Sequence, residues 1–307
     1  MQMALKVDCD TAIGTRDGVP RLLRLFDRHG IRATFFFSLG PDRSGRAALR
    51  VFTRRGFLRK MLRSRAPSLY PWRTMFSGTL LPAPKIAAFA KEQIRSAADA
   101  GHEVGVHAWD HVSWHDRLPR WDRERTSREY GLAMDSFALI FGRPASASAC
   151  AGWTVSEAYL AARETYPLLY TSDTRGGSPF RPRFGLVESR IPEIPSTLPT
   201  LDERIGDPAG SSADELLAEF RDLASDRSVH TVHTEVEGGP YLAWFDRLLS
   251  EWRGRGATFV PLETLARESA ENPMLPARRI GQITLPGRAG TVASGFDESM
   301  PEQGERK

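Results

Sequence analysis

The order in which strand-like and helix-like segments follow one another limits most tightly how this chain folds. Residues 4–10 (Ala-Leu-Lys-Val-Asp-Cys-Asp) read as a strand. Residues 19–29 read as a helix with Pro20 in its first turn and Gly30 as its stop, and 33–37 (Ala-Thr-Phe-Phe-Phe) as a second strand. That second strand is apolar without alternation, the pattern of a strand covered on both faces. A helix over 85–100, a third strand over 103–107 and a helix over 124–141 continue the rhythm. Further strands are expected at 145–150, 168–172, 191–197, 229–234 and 257–260, with helices over 156–165, 213–224 and 241–252. Parallel strands cannot be joined by tight turns, so this alternation predicts an α/β fold with crossover helices on a parallel sheet. From about residue 270 the periodicity gives way to Pro, Gly and charge. One domain over 1–268, followed by a poorly ordered tail over 269–307, is the expectation.

Charge is distributed unevenly. Between Asp42 and Glu92 there is no acidic residue and there are twelve basic ones, from Arg43 to Lys91; the remaining chain holds 30 basic against 38 acidic residues. Phe57, Leu58, Trp72, Phe76, Leu80 and other apolar residues interleave with these arginines. An insertion over about 43–84 of this composition suits an anionic membrane surface, with apolar groups at the lipid interface and arginines on headgroups or phosphate. No nucleic-acid-binding motif accompanies the charge, so no nucleic acid partner is expected. Two cysteines, Cys9 and Cys150, make no disulfide framework. Neither a leader pattern nor an apolar run long enough to span a bilayer is visible.

Three clusters carry chemistry. In Asp8-Cys9-Asp10 the strand period of two places both carboxylates on one side, either as solvated caps of the next turn or as groups that need a cation. His107-Ala-Trp-Asp-His111 lies where a strand ends, and its i, i+4 spacing in a helical turn brings two imidazoles together. Two imidazoles and a carboxylate form a three-ligand set with open positions, suited to a divalent metal such as Zn, Mn, Co or Fe. Around 229–237, alternation puts Thr231, His233 and Glu235 on one face and turns His230 the other way.

The order of these motifs resembles the polysaccharide deacetylase family, carbohydrate esterase family four. The residues that carry the likeness are Asp8 and Asp10, Ala33–Phe36, and Gly101-His-Glu-Val-Gly-Val-His107-Ala-Trp-Asp-His111. The resemblance implies a distorted parallel β/α barrel with its site at the C-terminal strand ends. It also implies an amide hydrolase in which Asp10, His107 and His111 hold one divalent metal. Asp8 would be the general base and His233 the general acid, although the intervening Cys9 leaves the division between Asp8 and Asp10 open. The family's fourth-strand motif begins with an arginine that orients the base; 148–153 (Ser-Ala-Cys-Ala-Gly-Trp) has none, and Arg175 beside Asp173 is its expected replacement.

Within that family, segments such as 14–23, 172–176, 195–199 and 233–238 are similar to the bacterial deformylases of formamido-arabinose linked to undecaprenyl phosphate. This closer likeness implies N-formyl hydrolysis at the cytoplasmic face of the inner membrane, in lipid A modification and resistance to cationic peptides. A deacetylase of N-acetylated polysaccharide and an inactive lipid-phosphate-binding module are the alternatives. The first has no use for so basic an insertion, and the second needs neither His107 nor His111.

Overall fold

In the computed structural model, residues 1–47, 72–205 and 212–297 are described, and the expected strands other than that over 191–197 join into one parallel sheet. Its members are β1 (Gln2–Cys9), β2 (Thr34–Ser38), β3 (Glu103–Ala108), β4 (Ala147–Ser148), β5 (Tyr170–Thr171), β8 (Arg227–His233) and β9 (Thr258–Val260). The order is β5-β4-β3-β2-β1-β8, and β9 adds to the start of β1 beside β2. With helices outside, this is the parallel sheet that the alternation predicted, curved into the incomplete barrel that the resemblance implied.

The expected strand over 191–197 does not form a ladder. It nevertheless occupies a strand's place: Ile194 N donates to Thr171 O at 2.8 Å on one side, and Thr197 N donates to Val229 O at 3.0 Å on the other. Pro192, Pro195 and Pro199 remove the donors that a continuous ladder requires, so the segment bridges β5 and β8 by local bonds at Thr171 and Val229.

Both faces of the central strands are buried. On β1, Met3, Leu5, Val7 and Cys9 pack outward with Phe35, Phe37 and the helices, while Ala4 faces the barrel interior with Phe36, Tyr170 and Val229. Lys6 and Asp8 alternate with the outward set and so share the interior face with Ala4, both fully buried. Helix α1 (Val19–Arg28) has Pro20 in its first turn and buries Val19, Leu22, Leu25 and Phe26 as one stripe. The helix expected over 85–100 breaks at Ala90 into Ile86–Phe89 and Lys91–Asp99. An additional helix, Leu262–Ala270, had not been expected and buries Leu262, Leu265 and Ala266.

The expectation of a poorly ordered tail needs correction. Strands β10 (Ala277–Thr284) and β11 (Thr291–Phe296) form an antiparallel hairpin that joins β6 (Arg181–Phe184) and β7 (Val187–Glu188) in a second sheet. The hairpin is fixed by its contacts, with Ile280, Val292 and Ala293 buried. Its apolar positions are too few to announce a strand by composition. Most of the basic insertion, residues 48–71, lies outside the described residues, so the expectation placed on it has no structural counterpart here.

Candidate metal centre and active site

Three strand ends supply the site. β1 runs out at Asp8-Cys9-Asp10, β3 at His107 and β8 at His233. Asp110 caps the helix His111–Arg117 by accepting from Ser113 N at 2.9 Å, which makes His111 the first helical residue. The pair His107/His111 therefore spans a strand end and a helix start, and does not lie within one helical turn as the spacing suggested. The rings still stack, with centroids 5.4 Å apart.

Asp10 stands between them. His107 Nε2 is 3.2 Å from Asp10 Oδ1, and His111 Nε2 is 3.4 Å from Oδ2. One ligand atom from each of Asp10, His107 and His111 lies within 4.8 Å of the other two. Asp10 Oδ1 is buried without a hydrogen-bond donor, and two imidazole nitrogens converge on the same carboxylate. A divalent cation with nitrogen and oxygen ligands fits this donor set. Burial works to raise the Asp10 pKa, yet His111 and His107 hold it well below the ordinary carboxylate range.

Asp8 is oriented from its own strand. Lys6 Nζ lies 3.1 Å from Asp8 Oδ2, while Oδ1 is buried and unbonded, 4.0 Å from His107 Nδ1. Lys6 is itself buried, with Nζ 5.9 Å from the Phe36 ring centroid and 4.9 Å from that of Trp153. The cation expected from Arg175 is thus Lys6. Its signal in the sequence was the strand period that places Lys6, Asp8 and Asp10 on one side.

Arg175 is engaged elsewhere. Its Nη1 and Nη2 meet the Glu203 carboxylate at 2.8 and 3.2 Å, Nη2 also donates to Leu198 O at 3.0 Å, and Cζ lies 4.8 Å from the Trp153 ring centroid. Asp173 is likewise turned to structure: it accepts from Cys150 N at 2.6 Å and from Tyr159 Oη at 3.0 Å, and it pairs with buried Arg163. Asp173 and Arg175 therefore hold the 150–153 turn, which carries Trp153 over Lys6, and their side-chain bonds go to Cys150, Tyr159, Arg163, Glu203 and Leu198 and not to Asp8 or His233.

His233 faces Asp202, with Nδ1 to Oδ1 at 3.7 Å. Burial pulls the imidazole pKa down, but Asp202, Asp10 and Asp8 outweigh it and raise it to about 9. Asp202 was not foreseen. It sits in the short helix Leu201–Arg204, whose capping box of Thr200 and Glu203 is a readable signal in the sequence. His230 turns away into the core, where Phe220 and Trp252 each approach within 5.4 Å and burial lowers its pKa to about 3. Glu235 accepts from Thr11 N and Oγ1 at 3.0 and 2.6 Å, locking the turn after β1 to that after β8. The result is a bare Asp8 oxygen beside the converging side chains of Asp10, His107 and His111, with His233 facing Asp202 nearby.

Residues 4–167 match the family model described as polysaccharide deacetylase. A protein of Shewanella sediminis, described as a probable 4-deoxy-4-formamido-L-arabinose-phosphoundecaprenol deformylase, is 38% identical over 95% of this chain and 94% of its own length. Its counterpart of the same description in Wigglesworthia glossinidia brevipalpis is 32% identical over 92% of this chain and 98% of its own. Among solved structures, a probable polysaccharide deacetylase from Pseudomonas aeruginosa superposes with a TM-score of 0.60 at 15% identity. It covers 89% of this chain and 92% of that one, a likeness of fold.

Proposed function

This chain belongs to the polysaccharide deacetylase family of hydrolases acting on amide C–N bonds, and from that premise we propose that it removes the N-formyl group from 4-deoxy-4-formamido-L-arabinose carried on undecaprenyl phosphate. The observation that carries the proposal is the convergence of Asp10, His107 and His111 beside Asp8, in a chain alike over nearly its whole length to proteins described as deformylases of that lipid.

Asp10, His107 and His111 would hold one divalent ion. Such an ion supplies Lewis-acid polarisation and stabilisation of developing negative charge. The protein's own part is proton traffic and orientation. Asp8 Oδ1, unbonded and buried, accepts the proton of the attacking water, while Lys6 holds Oδ2 in place. His233, protonated at neutral pH and steadied by Asp202, donates a proton to the departing sugar nitrogen as the C–N bond breaks. The products are formate and the 4-amino sugar lipid, the form used in lipid A modification.

The lipid-linked substrate requires an approach to a membrane. Among the described residues no helix is long and apolar enough to cross one. Peripheral binding at the cytoplasmic face is supported by the composition of the basic insertion. It is also supported by Phe76 and Leu80 at its edge, 40% and 80% exposed, with Arg46 anchored nearby on Gly78 O at 3.0 Å. The reading is tested by offering the metal-loaded protein two substrates, formamido-arabinose phosphoundecaprenol and an N-acetylglucosamine oligomer. Formate from the first is the expected outcome; acetate from the second with no formate from the first would replace it with the polysaccharide reading.

A further inference from the structure

The tip of the β10–β11 hairpin, Leu285-Pro-Gly-Arg-Ala-Gly290, docks on Glu203, the neighbour of Asp202. Gly287 has φ +76°, and a Cβ there would stand 1.8 Å from the carbonyl oxygen of Glu203, so the docking needs glycine at that position. The contact places Arg288. Its Nη1 lies 3.3 Å from Glu203 Oε1, and its Nη2 donates to Gly152 O at 3.2 Å. Its Cζ lies 4.7 Å from the Trp153 ring centroid, on a ring also approached by Lys6 and Arg175.

Both partners of Arg288 border the reaction centre. Glu203 follows Asp202, the residue that faces His233. Gly152 is backed by the ring of His115, which lies 6.3 Å from that of His111. The arginine thus stands on the wall that links the acid to the helix bearing a metal ligand. Its side chain is 10% exposed, and Nε is buried with no acceptor. Arg175 has both Nη groups committed to Glu203 and Leu198, so the single carboxylate of Glu203 faces two guanidinium groups. Glu203 is thus shared between two cations, Asp202 is the further anion acting on Arg288, and the Arg288 Nε donor has no acceptor.

We propose that Arg288 is a substrate-binding residue for a sugar phosphate, and that the C-terminal hairpin serves to bring this phosphate anchor to a cleft whose other groups address the formamide. The inference rests on the deformylase reading, in which the substrate carries its phosphate on C1 and its formamido group on C4, across the ring from one another. A guanidinium beside a tryptophan face suits that ligand, because the planar fork takes phosphate oxygens while the ring packs on the sugar.

The test compares the metal-loaded wild type with Arg288→Gln on a soluble formamidopentose 1-phosphate and on its 1-O-methyl analogue. The expected result is at least a tenfold fall in the phosphate-over-methyl ratio of kcat/KM. The ratio is internal to each sample, so partial unfolding of the variant does not alter it. A ratio equal to that of wild type overturns the proposal and leaves Arg288 as a brace for the 150–153 turn. Calorimetry with pentose 1-phosphate is the second arm, with affinity at least tenfold weaker in the variant. If wild type forms formate from neither substrate, the deformylase reading falls while the calorimetric comparison still decides the anion site. Binding to phosphatidylglycerol vesicles should be equal for the two proteins, since a side chain only 10% exposed is open to a small sugar phosphate that enters the site and not to a bilayer surface. Weaker vesicle binding with unchanged sugar-phosphate affinity would assign the arginine to lipid and refute the proposal.

Discussion

Asp8 has one oxygen held by Lys6 and the other bare and buried, the division a proton acceptor needs. Lys6→Met keeps the apolar stem between Phe36 and Trp153 but leaves a buried carboxylate without its cation, a change that typically costs 3–5 kcal/mol or so where a buried pair is broken. Turnover should fall by roughly 100-fold, within the usual range for a misplaced general base, while the metal content measured by atomic absorption stays at the wild-type value. Asp8→Asn and His233→Ala should each abolish turnover with metal retained, whereas His107→Ala should lose the metal. The pH profile has a definite sign. His233 gains protons on folding, its pKa standing near 9 against an ordinary 6.5, so its acid function is present below that value and lost as pH rises through it. A cation on Asp10 offsets part of the field, which places the alkaline limb of kcat at or below about pH 9. Asp202→Asn removes the anion that most raises the His233 pKa and should move the limb to lower pH. Asp10, His107 and His111 were legible in the sequence because strand alternation and a short histidine spacing are local. Lys6 and Asp202 were harder to see. The first looked like one polar residue in a strand, and the second acts through a contact with β8 that no local pattern encodes.

Elements were legible where a period was long. The helix over 123–141 and strands β1 to β3 emerged close to their expected bounds because their apolar residues repeat over whole turns or a continuous run. The segment over 191–197 was misjudged because its prolines permit strand-like placement and forbid a ladder, and the hairpin over 277–296 because its register is set by pairing with distant β6. That hairpin makes a prediction of its own. Gly287→Ala imposes a left-handed backbone on alanine and a 1.8 Å approach to Glu203, and it should lower the melting temperature together with the preference for phosphorylated substrate. On β8, His230 stays neutral in the fold to about pH 3, whereas the unfolded chain takes up a proton near 6.5. A lowered histidine pKa means stability lost as pH falls, by about 1.4 kcal/mol per pH unit within that window. The stability difference between wild type and His230→Phe should therefore shift in favour of the variant as pH drops from 6.5 to 5, read by denaturant titration at each pH.

At the scale of the whole molecule, the parallel half-barrel puts three strand ends and their ionisable groups at one mouth, and the second sheet adds Arg288 to its rim. The basic insertion would join that mouth to a membrane. Screening sets the expectation: sedimentation with phosphatidylglycerol vesicles should be strong at low salt and weaken as ionic strength approaches 0.15 M or so, where the Debye length is about 8 Å. Binding indifferent to salt would remove the electrostatic part of this account. The central claim, however, concerns the ligand triad. It is tested most directly by stripping the protein with chelator, adding a divalent metal back in steps and following formate release from formamido-arabinose phosphoundecaprenol. The rate should rise from background and break at one equivalent of metal, with no such rise in His107→Ala. Full activity in the stripped protein, or an identical titration in His107→Ala, would contradict it.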